Sequence, residues 1–419
     1  MTRMKESGID WIGQIPEEWE MSKIRYLVTT RSEKRITDSS VPYIGLENIE
    51  SQTGKFIKTG IQVDKSENIV VEIGDVLFGK LRPYLRKYWR ATFTSTASSE
   101  FLVFQSSELD MNFLYYAIQS DSFIEEVNTS TYGSKMPRAS WEYIKNMRIA
   151  FPTSLVEQQK IADFLDKKTA QLDKVKSLLE EQIQKLKDYR ASLIYKTVTK
   201  GLDKTVPMKD SGINWIGQVP EGWGVIKFKY LGDVKQGLTY SPSDIVDKDE
   251  GILVLRSGNI QNGILDFNNN VYVKTKVAES IVLRKNDILI TARNGSPVLI
   301  GKNAIIDTDI KATFGAFMMV FRANKSLFAK FAFYLMNVSF NFYRTFFTTS
   351  TVNQLTAAIF NGIEVPLPSI YEQKKITDFL DQKTVQIDKL IQIKNQQIEN
   401  INKQRQTLIY DYVTGKRRV

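Results

Sequence analysis

Residues 7–19 read SGIDWIGQIPEEW, and residues 211–223 read SGINWIGQVPEGW. The two stretches differ only at the pairs Asp10/Asn214, Ile15/Val219 and Glu18/Gly222. A match of this length inside one chain indicates an internal repeat, which has to be explained before any single motif. Tryptophan, isoleucine and proline in this pattern are typical of a hydrophobic clasp around a turn. We therefore interpret the repeated stretch mainly as structural.

A second stretch is repeated later in each half of the chain. Residues 157–174 read EQQKIADFLDKKTAQLDK, and residues 372–389 read EQKKITDFLDQKTVQIDK. The offset between copies is 204 residues for the first stretch and 215 for the second, so the second copy is longer by about eleven residues. The sequences between these stretches barely match. Similar ends around divergent centres favour a constant scaffold that carries two different recognition segments.

Apolar residues at seven-residue spacing predict a long helix in each half. The spacing is strict in the first half and is interrupted once in the second, by Lys394. The seam positions are Leu165, Leu172, Leu179, Leu186 and Leu193, followed by Leu380, Ile387, Ile401 and Leu408. We expect the two helices to pair with each other, because the partner helix is already tethered. We expect the pair to be antiparallel, because only that arrangement lets the two globular parts lie at opposite ends. A coiled coil that makes a homodimer is the alternative.

The regions outside the helices predict mixed β/α domains, because short β-rich runs alternate with turn signals and aromatic-rich helices follow. The predicted fold is α+β, with two such domains separated by two long antiparallel coiled-coil helices in a pseudo-two-fold internal repeat. The predicted segments are a first recognition domain at 1–151, a central helix at 152–201, a second recognition domain at 202–367 and a C-terminal helix at 368–419.

Composition excludes several classes of chemistry. The chain has no cysteine and no histidine, which removes thiolate nucleophiles, the commonest general base and the commonest metal ligands. The formal net charge of +10 favours a polyanionic partner, although a basic solvated surface is an equally simple explanation. The start of the chain lacks an apolar signal segment, and the longest apolar stretch is broken by polar residues. We therefore expect a cytoplasmic protein without a membrane span.

Two motifs superficially suggest enzyme chemistry. GDVLFGKL at residues 74–81 approaches a phosphate-binding loop, but the loop requires serine or threonine after the lysine, and Leu81 stands there. The carboxylate-x-lysine triplets at 166–168 and 381–383 lie inside the predicted helices, where such charges normally form a solvated face. We therefore expect no catalytic or metal site in this chain.

Basic and amide side chains cluster at matching places in the two halves. Residues 76–99 and 288–306 contain no acidic residue, and each segment is followed later by a polar loop, at 131–140 and 350–358. Arginine suits guanine, asparagine and glutamine suit adenine, and lysines and hydroxyls hold phosphates. The candidate DNA contacts are Lys80, Arg82, Tyr84, Arg86, Lys87, Lys135 and Arg138, then Arg256, Arg293, Asn294, Ser296, Lys302, Asn353 and Gln354. The alternatives are solvated strands and capped helix starts.

The repeated stretches together with GDVLFGKLRPYLRK resemble the specificity subunit of type I restriction-modification systems, and the resemblance covers nearly the whole chain. It implies that each domain reads one half of a split site in double-stranded DNA. It also implies that the helices dock two modification (methyltransferase) subunits, with restriction (motor-nuclease) subunits outside. The family is not itself catalytic, so S-adenosylmethionine, ATP and magnesium are expected on the partner subunits. The second half has TARNGSPVLIGK in place of GKLRPYLRK, so residue roles transfer less directly there.

Two other functions fit the same sequence features. A stand-alone two-headed DNA-binding regulator would bind its site without further subunits. A coiled-coil scaffold without a DNA role would tolerate the loss of Arg82 and Arg293.

Overall fold

The computed structural model describes residues 3–37, 41–59, 66–133, 135–347 and 353–419. The chain divides into two compact units, a first unit of residues 1–181 with 394–419 and a second unit of residues 182–393. Each unit contains one mixed β/α domain. Each also contains part of the central helix, Leu155–Lys200, and part of the C-terminal helix, Ile370–Val413.

Two four-stranded sheets form the body of the first domain. In spatial order, one sheet has the strands Thr29–Thr30, Phe101–Gln105, Val76–Gly79 and Tyr88–Arg90, and the other has Lys34–Ile36, Glu67–Val71, Ser95–Ala97 and Tyr43–Ile44. Two-stranded pairs join Met4–Glu6 to Gln14–Pro16 and Trp19–Lys23 to Arg148–Pro152. The short helices Met111–Ala117, Asp121–Thr129 and Trp141–Ile144 each begin at a capping aspartate or serine.

The second domain is built on the same plan. One sheet has the strands Gly232–Gln236, Met318–Ala323, Ile288–Thr291 and Asn303–Ile305, and the other has Ile245–Val246, Val271–Val273, Ile252–Leu255 and Ala312–Phe314. The two-stranded pairs are Met208–Asp210 with Gln218–Pro220, Gly224–Lys227 with Glu364–Leu367, and Ile260–Gln261 with Ile264–Leu265. The helices are Ala329–Tyr343 and Ala357–Gly362. The longest apolar stretch of the sequence, residues 326–343, therefore forms the first of these helices, as predicted.

The strands Val76–Gly79 and Ile288–Thr291, one in each domain, pack against a hydrophobic core on both faces. Alternate side chains of a strand point to opposite sides. Val76 and Phe78 therefore enter the main core of the first domain, while Leu77 enters a smaller core on the other face. In the second domain Ile290 likewise enters the main core and Leu289 enters a smaller core on the other face. The chain segment that leaves the end of each strand is consequently held by a rigid support.

The two repeated stretches of each half contact each other. Trp19 is completely buried, and its indole Nε1 donates a hydrogen bond to Glu157 Oε1 on the central helix at 3.2 Å. Trp223 is buried in the second unit, and its Nε1 donates to Glu372 Oε2 on the C-terminal helix at 3.0 Å. The sequence repeats because one joint between domain and helix is made twice.

A glutamine completes this joint in both units. Gln158 Oε1 accepts a hydrogen bond from the backbone nitrogen of Asp110 at 2.8 Å, and its Nε2 donates to the carbonyl of Pro152 at 2.8 Å. Gln373 makes the equivalent bonds, accepting from the nitrogen of Phe328 at 2.7 Å and donating to a proline carbonyl at 2.9 Å. Both amides are buried, so they fix the start of each helix against its domain.

The two long helices pair antiparallel within each unit. In the first unit the rings of Phe164 and Tyr412 lie 4.5 Å apart, and Asp173 pairs with Arg405 at 3.7 Å. Residues further along the central helix therefore contact residues nearer the start of the C-terminal helix, as in an antiparallel pair. In the second unit Arg190 pairs with Asp388 at 3.3 Å. This is the same ion pair with the helices exchanged, since the 215-residue offset relates both residues. The α+β fold with two mixed domains and paired long helices is confirmed.

The predicted seam residues differ in burial. Leu165 and Leu380 are fully buried and belong to the domain cores, and Ile387 is also buried. The half-buried seam positions are Leu172, Leu179, Leu186, Leu193, Ile401 and Leu408. The seams therefore serve mainly packing inside the chain, and a separate partner would have to use other faces of the helices.

Among the described residues, no helix combines the length and the apolar character that a bilayer crossing requires.

Candidate nucleic-acid interface

The two basic segments predicted in the first domain lie side by side. We call residues 80–87 together with residues 131–139 the first loop pair; Ser134 lies outside the described residues. Leu81 and Arg138 form an antiparallel β-bridge. The nitrogen of Ala139 donates to the carbonyl of Lys80 at 2.9 Å, and the nitrogen of Arg82 donates to the carbonyl of Pro137 at 2.7 Å. Segments about fifty residues apart in sequence thus form one surface.

The second domain brings its predicted segments together through an equivalent bridge. We call residues 291–302 together with residues 353–355 the second loop pair; residues 350–352 lie outside the described residues. Arg293 and Gln354 form the antiparallel bridge, and the nitrogen of Leu355 donates to the carbonyl of Ala292 at 2.8 Å. Asn353 Nδ2 also donates to the carbonyl of Gly295 at 3.1 Å. The bridge is therefore common to both domains.

The first loop pair has an unusual backbone at two arginines. Arg82 and Arg86 have φ angles of 50° and 54°, in the left-handed region that side chains other than glycine rarely adopt. They flank a single 3₁₀ turn, Pro83–Leu85, which exposes Tyr84. Such backbone strain persists only when the surroundings impose it, and it is common at functional sites.

The exposed cationic side chains of the first loop pair are Arg82 and Lys135, and 40% of the Arg138 side chain is exposed. The Arg82 guanidinium donates through Nη2 to the carbonyl of Lys135 at 3.3 Å, which joins the two segments at the surface. Lys80 is half-buried at the base of the same loop. The contact of these side chains with phosphates or base edges stays a prediction from the sequence.

Arg86 has a partner inside the protein. Its Nη1 lies 2.6 Å from Asp121 Oδ1, and only 17% of its side chain is exposed. This geometry favours a role in supporting the loop over the direct DNA contact that we predicted.

Lys87 and Lys302 occupy equivalent places beneath the two loop pairs. The Lys87 ammonium donates to the carbonyls of Leu46 and Ile49 at 2.9 and 2.6 Å, and the Lys302 ammonium donates to the carbonyl of Ser257 at 3.3 Å. Burial lowers the pKa of both lysines. Both ammonium groups thus have partners inside the protein, which favours a structural role over the DNA contact predicted from sequence.

Replacing Lys87 with methionine tests that role. The carbonyls of Leu46 and Ile49 would lose their donor, so we expect the free energy of unfolding to fall by about 1–3 kcal/mol. The dependence of DNA affinity on salt should stay unchanged, because no phosphate contact is lost. Denaturant unfolding and binding at several salt concentrations measure the two quantities. Lys135→Met is the matched control, with unchanged stability and a salt slope smaller by about one.

The remaining predicted residues of the second domain lie on or beside its loop pair. Asn294 Oδ1 accepts a hydrogen bond from the nitrogen of Ser296 at 2.9 Å, which shapes the loop and leaves the Asn294 amide group as a donor. Ser296 and Arg293 are exposed. Arg256 is exposed where the turn Ser257–Asn259 begins, near the carbonyl that Lys302 contacts.

Glu100 and Phe317 lie against the loop pairs, although neither residue was predicted from the sequence. Arg138 forms a two-point ion pair with Glu100, with Nε–Oε2 at 3.1 Å and Nη2–Oε1 at 2.8 Å. In the second domain the Arg293 guanidinium lies 5.8 Å from the ring centre of Phe317. Glu100 is the first acidic residue after the acid-free segment, and this position was the sequence feature that could have identified it. Phe317 carried no signal, since an isolated phenylalanine next to a strand normally enters a core.

No group of three or more aspartate, glutamate, histidine or cysteine side chains in the described part of the chain could hold a metal ion. The site therefore consists of hydrogen-bond donors, acceptors and exposed rings on two loop pairs.

The chain is similar to known proteins of one family. The model of the family described as "Type I restriction modification DNA specificity domain" matches twice, over residues 16–187 and 220–403. The chain is 32% identical over 206 residues to the type I restriction enzyme EcoKI specificity subunit of Escherichia coli (strain K12), which covers 48% of this chain and 44% of that protein. It is 24% identical over 431 residues to the MjaVIII specificity subunit of Methanocaldococcus jannaschii, covering 97% of this chain and 94% of that one.

Solved structures share the fold. A chain from a study of complex assembly and conformational transition in a type I restriction-modification system has a TM-score of 0.74 at 17% identity, covering 95% of this chain and 98% of that chain. The HsdS subunit from Thermoanaerobacter tengcongensis has a TM-score of 0.51 at 17% identity, covering 96% and 98%. The two family matches span most of the sequence and include both loop pairs. The chain belongs to the family of type I restriction-modification DNA specificity proteins.

Proposed function

We propose that each domain reads one half of a bipartite site in double-stranded DNA with its loop pair. One observation carries this proposal: the bridge between the loops is the same in both domains, while the side chains on it differ. Leu81 stands opposite Arg138 in the first domain, and Arg293 stands opposite Gln354 in the second. An identical framework with different hydrogen-bonding groups is what two readers of different base sequences require.

The helices offer a repeated apolar surface for partner subunits. Val175 and Leu178 on the central helix are 47% and 48% exposed, and Leu390 and Ile393 on the C-terminal helix are each 47% exposed. The offset of 215 residues relates the two pairs to each other. Each pair has a spacing of three residues, so its members share one face of the helix. We infer that these two equivalent surfaces, one in each unit, dock two copies of the same modification subunit.

Leu178→Glu tests the docking surface. A charge placed at a position that the partner buries should lower the affinity for the modification subunit by about 30-fold or more. The fold should be kept, because the Leu178 side chain is half exposed in the chain itself. We expect the variant to retain one modification subunit per chain, and Leu178→Glu with Ile393→Glu to retain none. Light scattering of the complex measures the stoichiometry. Glu180→Lys is the control on the other side of the helix, and full assembly of the double variant would contradict the docking surface.

The chain contributes binding and positioning to the complex. Since it lacks histidine and cysteine, we assign methyl transfer from S-adenosylmethionine, and hydrolysis of ATP with magnesium, to the modification and restriction subunits. The isolated chain should catalyse neither methyl transfer, DNA cleavage nor ATP hydrolysis.

One mixing experiment separates this function from its alternatives. The purified chain is combined with DNA and a modification subunit, and the stoichiometry and the DNA footprint are measured. We expect two modification subunits per chain and two protected segments on the DNA. Tight specific binding by the chain alone, unaffected by the modification subunit, would favour a stand-alone regulator. Assembly without any DNA protection would favour a scaffold.

A further inference from the structure

Three positions correspond between the domains, two in each loop pair and one on a neighbouring segment. The bridge relates Leu81 to Arg293 and Arg138 to Gln354. The third correspondence follows from backbone bonds: the nitrogen of Lys80 donates to the carbonyl of Glu100 at 2.8 Å, and the nitrogen of Ala292 donates to the carbonyl of Phe317 at 2.9 Å. We call these positions the recognition triads, which are Leu81, Glu100 and Arg138 in the first domain and Arg293, Phe317 and Gln354 in the second.

Both triads hold one guanidinium group in a fixed orientation. In the first domain the two bonds from Arg138 to Glu100 fix the plane of the guanidinium, and the same pairing raises the pKa of Arg138. Its Nη1 and one hydrogen of Nη2 remain able to donate. In the second domain Arg293 Nη2 donates to Gln354 Oε1 at 2.8 Å. Each triad has one arginine. It lies on the second segment of the bridge in the first domain, as Arg138, and on the first segment in the second domain, as Arg293.

The third position differs in chemistry between the triads. Glu100 offers carboxylate oxygens that retain acceptor capacity beside the bonds to Arg138. Phe317 instead presents an aromatic ring that is 61% exposed. Its carbonyl accepts from the nitrogens of both Ala292 and Arg293, at 2.9 and 3.0 Å, so the backbone that carries the ring is held beside the bridge. A large apolar side chain that is exposed next to a cation gains little from packing in the free protein.

We propose that each triad reads two neighbouring base pairs of its half-site, which rests on the function proposed above. The guanidinium of Arg138 or Arg293 selects guanine. The adjacent base is selected by the third position: Glu100 accepts a hydrogen bond from the amino group of cytosine, and Phe317 contacts the methyl group of thymine. These are the pairings that major-groove chemistry favours for each side chain. The triads therefore account for part of the difference between the two half-sites.

A purely structural role explains the observations less completely. The pair of Arg138 with Glu100 could merely join the segments of the first loop pair. In the second domain the bond from Arg293 to Gln354 already makes that connection, and the exposed ring of Phe317 adds no hydrogen bond to it. The structural reading thus leaves Phe317 unexplained.

Sequence selection tests the proposal with the full chain assembled with a modification subunit. A duplex pool with randomised positions is methylated, and the methylated molecules are sequenced. Phe317→Ala should reduce the preference for thymine at one position of one half-site by about 5- to 150-fold, with the neighbouring guanine and the other half-site unchanged. Glu100→Gln should reduce the preference for cytosine at one position of the other half-site by a similar factor. Phe317→Glu should shift the thymine position toward cytosine.

Controls separate the triads from general effects. Tyr230 and Tyr26 are aromatic residues of similar exposure in the same two domains, and their replacement by alanine should leave every position unchanged. If wild-type protein selects a bipartite sequence but Phe317→Ala and Glu100→Gln change no single position, or weaken all positions equally, the triad proposal is overturned while the proposed function stands. If wild-type protein selects no bipartite sequence, the proposed function itself fails.

Discussion

Replacing Trp19 with alanine is expected to lower the free energy of unfolding of the first unit by about 3–5 kcal/mol. Trp19 is completely buried, its ring packs edge-on against Phe113 with centroids 6.3 Å apart, and its cluster includes Ile161 of the central helix. The substitution would leave a large cavity at the joint between domain and helix. It would also leave Glu157 without the indole donor.

Denaturant unfolding followed by far-ultraviolet circular dichroism measures this loss. Trp11→Ala is the matched control, because Trp11 belongs to the same repeated stretch but is only half-buried, so its loss should be clearly smaller. Glu157→Gln isolates the hydrogen bond and should cost no more than about 1 kcal/mol. A loss below 1 kcal/mol for Trp19→Ala would show that the repeated stretch does not form the joint.

Gly415→Ala is expected to destabilise the first unit by about 2–5 kcal/mol. Gly415 follows the C-terminal helix with a φ angle of 70°, where a β-carbon costs about 1–2 kcal/mol in a left-handed conformation. That β-carbon would also overlap the ring of Pro16 and approach Trp19. Forcing a group into a packed site costs typically 1–3 kcal/mol more.

Gly74→Ala is the control for Gly415→Ala. Gly74 has a φ angle of 90°, but the space around its missing side chain is open. It should therefore show only the backbone cost, about 1–2 kcal/mol. Thermal or denaturant unfolding of both variants gives the comparison. Equal losses at the two glycines would mean that the contact of Gly415 with Pro16 adds nothing to stability.

Much of the fold was predictable from the sequence because the repeated residues act locally or at regular spacing. The heptad positions around Leu165 and Leu380 predicted the two long helices, and these helices are present and pair antiparallel in each unit. The clasp predicted around Trp19 is buried as expected. Its partner on the helix, Glu157, begins the second repeated stretch but lies 138 residues away in sequence, and the sequence did not show that the two stretches contact each other.

The candidate interface was predictable only in part. The absence of acids marked loops that the structure brings together in each domain, because charge depletion is visible along the chain. The roles of single cations depend on contacts between distant segments. Lys87 and Arg82 look alike in sequence, yet one ammonium is held by two backbone carbonyls and the other cation lies at the surface. Glu100 and Phe317 were missed for the same reason, since only the backbone pairing of the sheet brings them to the loops.

The most direct test of the central claim, that each loop pair reads its own half of a split DNA sequence, is sequence selection with Arg82→Ala and Arg293→Ala in the assembled complex. Both side chains are exposed, so the fold should be kept. We expect Arg82→Ala to weaken discrimination within one half-site by about 1–3 kcal/mol and Arg293→Ala to do so within the other half-site only. The spacing between the half-sites should not change. Loss of affinity for all sequences alike in both variants, or changes confined to the same half-site, would contradict this account.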